Sequence, residues 1–267
     1  MPELPEVETV VRELRDEVLF KTIKSYYVYW NKTFIADSNY ELNGLQITEL
    51  ARKGKYIIIS LSQSFLIIHL RMTGKLLFHK QKTEVQKHDR FLIEFNDNTQ
   101  LVFNDIRKFG RIHHTDLPEK ILHRVGIDAM DPDLSSDYFY SMLRKSRRNI
   151  KAFLLSQEYI SGLGNIYVDE SLFRAAISPF SICANISEEK AGKLLDIIKE
   201  ILTFAIKNMG TTISDYRDAF GNFGKNQQFL QVYQRGGLSC FKCGTAIKRI
   251  IFAGRGTHYC PVCQKTL

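Results

Sequence analysis

The chain has 267 residues, and its 37 lysines and arginines against 29 aspartates and glutamates give a formal net charge of +8. A hydrophobic fraction of 44% and a charged fraction of 25% are typical of a folded globular protein and argue against wholesale disorder. The longest apolar run, residues 26–30, is too short for a membrane span, and the N-terminus lacks the basic and apolar regions of a secretory signal. We therefore expect a soluble, cytoplasmic protein with two domains and a small third module.

The first predicted element is a helix over residues 5–18. Its apolar residues fall on one face, and Pro5 suits a first helical turn. Short β-rich runs follow, separated by turn sequences, at residues 55–61, 65–70, 75–79, 90–95 and 99–103. This pattern predicts hairpins in a sandwich or barrel.

From about Asp133 the hydrophobic period becomes helical. The clearest apolar stripe lies in residues 194–205 and is followed by Gly210, which suits a helix C-cap. Gly162, Gly164 and Asn165 precede a second helical run, a pattern that suits phosphate binding but equally a tight turn between helices. Residues 217–230 show little periodicity and predict a mobile loop.

Four of the five cysteines lie in two Cys-x2-Cys pairs near the C-terminus, with sixteen residues between the pairs: Cys240, Cys243, Cys260 and Cys263. This spacing predicts one zinc ion held by four thiolates. Disulfides are the alternative, but they suit an oxidising compartment for which nothing else in the sequence argues. Because four protein thiolates leave no open position on the metal, the zinc would be structural, and it would let a module of about thirty residues fold.

Basic residues cluster in three segments of the chain. Residues 219–267 contain seven lysines and arginines and no acidic residue, residues 144–151 contain five, and the third cluster is Arg52, Lys53 and Lys55. One basic run is usually a solvated surface, but three clusters, one of them on the zinc module, predict a polyanionic partner and foremost nucleic acid. Charge alone does not distinguish DNA from RNA or from an acidic protein.

Eight blocks of sequence, in order along the chain, resemble the bacterial formamidopyrimidine-DNA glycosylases, bifunctional enzymes that remove 8-oxoguanine. The blocks are residues 1–9, 52–56, 69–74, 87–89, 105–110, 162–167, 230–233 and 254–260. The resemblance implies an α+β multidomain fold. Its parts would be an N-terminal helix with a two-layered β-sandwich (1–115), a linker (116–132), a helix-two-turn-helix DNA-binding domain (133–216), a lesion-capping loop and connection (217–232), and a β-hairpin zinc finger (233–267).

The first residues suit this chemistry. Removal of Met1 exposes the secondary amine of Pro2, and an α-amine with a pKa of about 8 is far more nucleophilic at neutral pH than a lysine. A secondary amine that attacks the sugar C1′ forms a cationic iminium, which promotes β-elimination of the 3′ phosphate. Glu3 is placed as general acid and base, and the resemblance gives Glu6 a supporting role. Without the family pattern, Met-Pro is a common start, and N-terminal glutamates merely favour a helix dipole.

The resemblance also implies roles for residues elsewhere in the chain. Lys55 matches a lysine that contacts the lesion and its phosphate, with an exposed strand-end lysine as the alternative. Arg255 matches an arginine that binds the flanking phosphates and serves δ-elimination. Four further residues match positions that contact the DNA backbone: His88, Arg107, Arg147 and Asn165.

A glycosylase of this kind extrudes the damaged base and fills the gap that it leaves. Met72, Arg107 and Phe109 match the inserted residues of the family. The apolar pair would wedge into the base stack, and Arg107 would hydrogen-bond the orphaned cytosine. Methionine and phenylalanine in β-rich segments are usually core residues, but these two lie in turn sequences, so we expect both to be exposed.

Three functions are compatible with these patterns. The first is a monomeric glycosylase and abasic-site lyase of base excision repair that acts on oxidised purines in double-stranded DNA. The second is an endonuclease VIII-type enzyme for oxidised pyrimidines, which usually begins Pro-Glu-Gly-Pro-Glu, unlike the sequence around Leu4. The third is a non-catalytic zinc-ribbon DNA-binding protein, which leaves Pro2 and Glu3 without a purpose. The loop at 217–229, which the resemblance makes the lesion-capping element, departs from the family pattern, so the resemblance is weakest for base preference. Ala152 also departs from the pattern, at a helix start, where we expect altered rigidity but intact chemistry.

Overall fold

The computed structural model describes all 267 residues and contains six α-helices and thirteen β-strands. The chain divides into two compact units, which are described separately. The first comprises Met1–Arg124 and Ile206–Gln227, and the second comprises Val125–Ala205 and Gln228–Leu267. None of the helices combines the length and the apolar character that crossing a bilayer requires. The mixture of helices and sheets confirms the predicted α+β class.

Helix α1 (Leu4–Val18) opens the first unit and confirms the predicted N-terminal helix, one residue earlier than expected. Pro5 lies in its first turn, where a missing backbone N–H costs no helical hydrogen bond. The predicted apolar face is fully buried and packs into the core of the unit. This packing places the residues that precede the helix at a fixed position on the β-structure.

Two sheets form the rest of the first unit. The four-stranded antiparallel sheet has the order β1 (Ile23–Val28), β7 (Asp89–Phe95), β8 (Gln100–Asn104) and β6 (Lys75–His79). The five-stranded sheet has the order β2 (Phe34–Ala36), β9 (Arg111–Thr115), β5 (Phe65–His69), β4 (Tyr56–Leu61) and β3 (Ile47–Lys53). Only the β2–β9 pair is parallel. The inner faces of both sheets and the apolar face of α1 share one hydrophobic core.

The five predicted strands are present within one residue of their expected ends, and four other strands of the first unit were missed: β1, β2, β3 and β9. Strands β1, β2 and β3 bury few side chains, and two of the three buried residues of β9, His114 and Thr115, are polar. In β3, for example, only Ile47 and Leu50 are fully buried, so the sequence shows no strict alternation. Residues 119–122 form the short helix α2 (Glu119–Leu122) in the same unit.

The second unit is built mainly of helices. They are α3 (Ser136–Arg144), α4 (Ile150–Leu155), α5 (Asn165–Arg174) and α6 (Glu188–Lys207). Strand β10 (Ile127–Asp128) pairs in parallel with β11 (Ile160–Ser161), and β12 (Lys248–Phe252) forms a hairpin with β13 (Arg255–Tyr259). A small core of Phe173, Val232, Cys240, Ile247 and Cys260 joins α5 to this C-terminal hairpin module.

The predicted C-cap at Gly210 is wrong. Helix α6 ends at Lys207, three residues earlier, and two left-handed residues follow it, Met209 with a φ of 56° and Gly210 with a φ of 74°. The loop predicted at residues 217–230 contains tight turns, one of which is built by the buried carboxylate of Asp218. That carboxylate accepts the backbone N–H groups of Phe220 and Asn222 at 2.9 and 2.8 Å. A short 3₁₀ helix, Asn226–Phe229, ends this segment.

Candidate functional site

The chain begins with buried residues that lead directly into α1. Pro2 is buried, and Glu3, which is only 3% exposed, is the residue before the helix. The backbone N–H of Glu3 donates to Oε2 of Glu6 at 2.7 Å, one half of a capping box. The positive end of the helix dipole therefore lies beside the N-terminal residues, together with two carboxylates.

Glu6 is 1% exposed and uses both carboxylate oxygens. Oε1 accepts the backbone N–H of Thr211 at 2.7 Å, while Oε2 accepts the N–H of Glu3. These bonds fix the backbone of residue 3 against the chain that follows α6. This is the geometry that a supporting role for Glu6 requires.

Lys55 is the last residue before β4 and is 5% exposed, whereas the neighbouring Lys53 is half-buried. It follows Gly54, whose φ of 58° allows the tight turn between β3 and β4. Lys55 is therefore not the exposed strand-end lysine of the alternative interpretation. A lysine held this deeply suits contact with a group inside a site better than a solvated surface.

His69 was not predicted from the sequence as a site residue, although it opens the block 69–74. Its ring lies edge-on to Tyr56, with 4.5 Å between centroids, and Nδ1 accepts the N–H of Arg71 at 2.9 Å. Burial and the positive charges of Arg71 and Lys55 lower the pKa of His69 to about 3. The ring is therefore neutral at physiological pH, and its hydrogen is on Nε2. His69 could have been predicted as a site residue from its position at the end of an apolar strand, directly before a turn.

Met72, Arg107 and Phe109 lie on two turns of the first unit. Met72 is 41% exposed and Phe109 is 47% exposed, which confirms the expectation that neither is a core residue. The guanidinium of Arg107 lies 4.9 Å from the centroid of the Phe109 ring. Large exposed apolar groups beside a cation suit insertion between bases better than they suit contact with water.

His88 lies just before β7 and is half-buried. Its Nδ1 is 3.2 Å from Nη2 of Arg90. Because a guanidinium only donates hydrogen bonds, Nδ1 is the acceptor and Nε2 carries the hydrogen. His88 thus has one ring N–H available as a donor in a fixed orientation.

Asn165 is the first residue of α5, after Gly164 at the N-cap. Its side-chain amide donates to the carbonyl of Gly256 at 2.8 Å, and its buried Oδ1 has no hydrogen-bond partner. The side-chain amide is therefore engaged within the second unit, beside the positive end of the α5 helix dipole. Arg255, next to Gly256, is exposed and directly follows the two-residue turn Ala253-Gly254, in which both φ angles are positive.

A buried ion pair connects the helices of the second unit to its hairpin. Lys151 and Asp169 are both fully buried, and Lys151 Nζ lies 2.6 Å from Asp169 Oδ1 and 3.2 Å from the carbonyl oxygen of Gly256. The other oxygen of Asp169 accepts the backbone N–H of His258 at 2.9 Å. Lys151 was counted in the basic cluster of residues 144–151, but it is buried and paired with Asp169, so it does not contribute to a basic surface. Lys151 holds β13, the strand that carries Arg255, through its contact with Gly256. Arg147, in the turn between α3 and α4, is by contrast exposed.

Glu170 is a second buried acid, and it is not among the residues predicted from the sequence. Its carboxylate accepts the backbone N–H groups of Gln231, Val232 and Tyr233 at 2.8–2.9 Å. Burial raises the pKa of Glu170, although the three donors oppose that shift. The acid orients the segment that includes Tyr233, which borders a polar cavity of about 490 Å³ together with Asn165, Gln234, Gly236, Arg249, Gly256 and His258.

The four predicted zinc ligands lie together in the C-terminal module. The Sγ atoms of Cys240, Cys243, Cys260 and Cys263 are all within 4.8 Å of one another. Two of these separations are 3.9 Å (Cys240–Cys263) and 3.5 Å (Cys243–Cys260). Tetrahedral bonds of about 2.3 Å would separate the sulfurs by roughly 3.8 Å, whereas a disulfide needs about 2.05 Å. The donor set therefore fits one zinc ion with no open position, as predicted.

Comparison with known proteins covers the whole chain. Residues 1–112 match the model of the formamidopyrimidine-DNA glycosylase N-terminal domain, residues 125–217 match that of the formamidopyrimidine-DNA glycosylase H2TH domain, and residues 237–266 match the zinc finger found in FPG and IleRS. The formamidopyrimidine-DNA glycosylases of Oceanobacillus iheyensis and Carboxydothermus hydrogenoformans are 40% and 41% identical to this chain. Each alignment covers 99% of this chain and 98% or 100% of the relative.

A solved structure gives the same result for the fold. The wild-type Lactococcus lactis Fpg protein, in a complex with DNA that contains N7-benzyl-Fapy-dG, is similar with a TM-score of 0.91 and 40% identity. The match covers 99% of this chain and all of that chain. With the three domain matches and the full-length relatives, this similarity shows that the chain belongs to the formamidopyrimidine-DNA glycosylase family.

Proposed function

We propose that this protein is a bifunctional DNA glycosylase and abasic-site lyase of base excision repair that removes oxidised purines, 8-oxoguanine and formamidopyrimidines, from double-stranded DNA. The observation that carries the proposal is the N-terminal arrangement. Pro2 and Glu3 are buried at the positive end of α1, and Glu6 fixes the backbone of Glu3. Membership of the family supports the substrate class, because the relatives carry the name of that activity.

In this proposal Pro2, freed by removal of Met1, is the nucleophile. Its nitrogen bonds to C1′ of the damaged nucleotide, and the C1′–N bond to the base breaks with its electron pair on the leaving base. Glu3 supplies and removes protons at the base and the sugar oxygen, which requires a carboxyl group held within hydrogen-bond reach. The C1′–O4′ bond then breaks, with a proton from Glu3 on the ring oxygen, and the cationic iminium forms between Pro2 and C1′. This iminium accepts electrons when a proton leaves C2′, and the 3′ phosphate departs.

The basic residues bind and orient the DNA strand in the same proposal. Lys55 contacts the lesion and its phosphate, and Arg255 binds the flanking phosphates and assists the second elimination, in which the 5′ phosphate departs. The N–H groups of His88, Arg107, Arg147 and Asn165 contact the DNA backbone. The exposure of Arg147 and Arg255 and the fixed donor on His88 support these assignments.

Met72, Arg107 and Phe109 fill the gap in the duplex, and residues 217–232 cap the extruded base. The zinc held by Cys240, Cys243, Cys260 and Cys263 stabilises the hairpin that presents Arg255 and takes no part in the chemistry. One set of catalytic residues per chain supports action as a monomer. The substrate would be the bacterial chromosome, so we place the protein in the cytoplasm, at the nucleoid.

A panel of duplexes tests the function directly. Each duplex carries one 8-oxoguanine, formamidopyrimidine, thymine glycol or abasic site, and strand cleavage and borohydride trapping are measured on the protein with Met1 removed. We expect cleavage at the two purine lesions and at the abasic site, and borohydride trapping on all three of these substrates. Preferential cleavage at thymine glycol would instead support the endonuclease VIII type, and DNA binding without trapping would support a non-catalytic DNA-binding protein.

A further inference from the structure

Two turns carry the residues proposed to enter the duplex. Residues 70–74, between β5 and β6, contain Met72, and residues 105–110, between β8 and β9, contain Arg107 and Phe109. Each turn includes a non-glycine residue in the left-handed region, Arg71 with φ 56° and Lys108 with φ 62°. Such backbone persists only where the surroundings hold it. The two turns are more than thirty residues apart in sequence, so a tertiary contact must set their relative position.

The carboxylate of Asp105 makes that contact. Asp105 is fully buried, and its oxygens accept the Thr73 hydroxyl and the backbone N–H groups of Arg107 and Gly110, the last two at 3.1 and 2.8 Å. The Thr73 hydroxyl oxygen in turn accepts the N–H of Arg107 at 3.1 Å. One carboxylate therefore bridges the turn of Met72 and the turn of Arg107 and Phe109. Hydrogen bonds to a charged group are among the stronger ones in a protein.

The backbone of Asp105 extends the same connection to His88. The N–H of Asp105 donates to the carbonyl of His88 at 2.9 Å, and its own carbonyl accepts Nε of Arg90 at 2.9 Å. Arg90 also holds the His88 ring through Nδ1. Every polar group of Asp105 is thus bonded to a segment that carries, or lies beside, a proposed DNA contact.

Packing against Phe103 leaves the two turns little freedom to move apart. A Cβ atom on Gly74 would lie 2.9 Å from Cζ of Phe103, and one on Gly110 would lie 2.3 Å from the same atom. The ring therefore touches both turns at positions where only glycine fits. Close contact of this kind resists small displacements.

We propose that Asp105 is a positioning residue that joins the two turns, so that Met72, Arg107 and Phe109 enter the duplex as one rigid unit when the base is extruded. This rests on the proposed function, because it assigns Asp105 a part in base extrusion. The proposal predicts that paired and unpaired lesions are affected differently. Loss of the Asp105 hydrogen bonds between the two turns should slow excision of a base-paired lesion, which must first be extruded. It should slow excision of a lesion that is already unpaired far less.

The test compares two substrates that differ only in pairing: 8-oxoguanine opposite cytosine in a duplex, and 8-oxoguanine within a short unpaired bubble. Single-turnover excision is measured for the wild type, Asp105→Asn, Thr73→Val and Thr73→Ser. Thr73→Val removes the hydroxyl but leaves the carboxylate, so it keeps the test valid if Asp105→Asn folds poorly. Thr99→Val is the matched control, because the Thr99 hydroxyl donates to Asp97 at 2.7 Å in a turn remote from these residues.

We expect Asp105→Asn and Thr73→Val to slow excision of the paired lesion by about 10- to 100-fold and that of the unpaired lesion by no more than about 3-fold. Thr73→Ser should restore the paired rate, and Thr99→Val should match the wild type. Equal losses on both substrates, a Thr73→Val rate equal to that of the wild type, or failure of Thr73→Ser to rescue would each overturn the proposal. If the wild type excises neither lesion, the proposed function fails instead.

Discussion

A Cβ atom at position 210 would lie 2.9 Å from both Cγ and Oε1 of Glu6. Gly210 also has a φ of 74°, a conformation that favours glycine. The same Glu6 carboxylate accepts the N–H groups of Glu3 and Thr211, each at 2.7 Å. The position of the proposed acid–base residue thus depends on a glycine some two hundred positions away in the chain.

Gly210→Ala should therefore damage both stability and activity. Strained backbone and the clash with Glu6 together should lower the free energy of unfolding by roughly 1–3 kcal/mol. Displacement of Glu3 should slow excision at least about 10-fold. Denaturant unfolding and single-turnover excision measure the two effects. Gly221→Ala is the matched control, because Gly221 has a φ of 86° but no atom within 4 Å of the added Cβ. Similar excision rates for the two variants would contradict the role of the Glu6 contact.

Pro2→Gly should lose most lyase activity, because the secondary amine that forms the iminium is replaced by a primary one on a more flexible residue. A protein with a retained N-terminal extension should give no borohydride cross-link at all. Folding should be unaffected in both cases, since Pro2 precedes the first helix. Trapping on abasic DNA and circular dichroism measure these outcomes. Full cross-linking by the blocked protein would exclude Pro2 as the nucleophile.

Glu3→Gln distinguishes a role of Glu3 in catalysis from a role in binding lesion DNA. The amide keeps the shape of the side chain but cannot transfer the proton, which normally accounts for about 10²–10⁴-fold in rate. Excision of 8-oxoguanine should fall by that factor, while lesion DNA binds as well as before or more tightly. Glu17→Gln, at the other end of α1 in an ion pair with Lys80, is the control and should excise normally. Excision by Glu3→Gln within a few-fold of the wild type would mean that another residue is the acid.

Elements and residues that depend on neighbours close in the sequence could be predicted from the sequence. The apolar face of α1, the stripe of α6 and the spacing of the cysteines are periodic patterns, and the structure has each of them. The blocks of the family resemblance then indicated Pro2 and Glu3. The five-part division of the chain and the roles of individual site residues stay predictions.

Residues that act through distant partners were missed for a physical reason. Asp105, Asp169 and Glu170 look like ordinary surface acids in the sequence, because nothing near them indicates burial. The distant partner of Asp105 is the Thr73 hydroxyl, and Asp169 and Glu170 accept distant backbone N–H groups, such as those of His258 and Val232. None of these partners can be recognised from the composition near the acid. Lys151 was misread in the same way, since its neighbours in sequence are basic while its neighbour in space is Asp169.

Glu13 should make stability depend on pH. Its carboxylate accepts the N–H of Ala219 at 2.9 Å, and burial, with the negative charge of Asp218, raises its pKa from 4.5 to about 7. The folded protein therefore binds this proton more tightly than the unfolded chain. The stabilisation is fully present below pH 4.5 and is lost as the pH rises through 7.

Glu13→Gln removes this titration and keeps an acceptor for Ala219. The Tm of the variant minus that of the wild type should therefore increase from pH 4.5 to 7 and then stay constant. Thermal unfolding in matched buffers measures the difference. Glu17→Gln serves as the control, because the wild-type Glu17 carboxylate pairs only with the exposed Lys80 of the same unit. A difference that is flat or decreases with pH would show that Glu13 is ionised in the folded protein throughout this range.

Removal of the metal should affect DNA binding because the hairpin unfolds. Chelation or Cys243→Ser should unfold the C-terminal module locally, since its core is small and two of its five buried residues are cysteines of the metal site. The first unit has its own core and should stay folded. Because phosphate binding supplies much of the affinity for DNA, binding should fall sharply. The slope of log K against log salt should flatten by about 0.9 for each phosphate of duplex DNA that the variant no longer neutralises.

Arg255→Ala distinguishes the effect of one side chain from that of the whole module. Arg255 is exposed on β13, so its replacement should leave the zinc bound and the hairpin folded. The salt slope should then change by about 0.9, as expected for a single phosphate, and δ-elimination should weaken more than base excision. Metal analysis beside a salt titration of both variants provides the comparison. If DNA affinity is unchanged after the zinc is removed, the module only stabilises the protein, and Arg255 has no part in binding. A slope change in Arg255→Ala as large as that of Cys243→Ser would instead assign all the phosphate binding of the module to this one arginine.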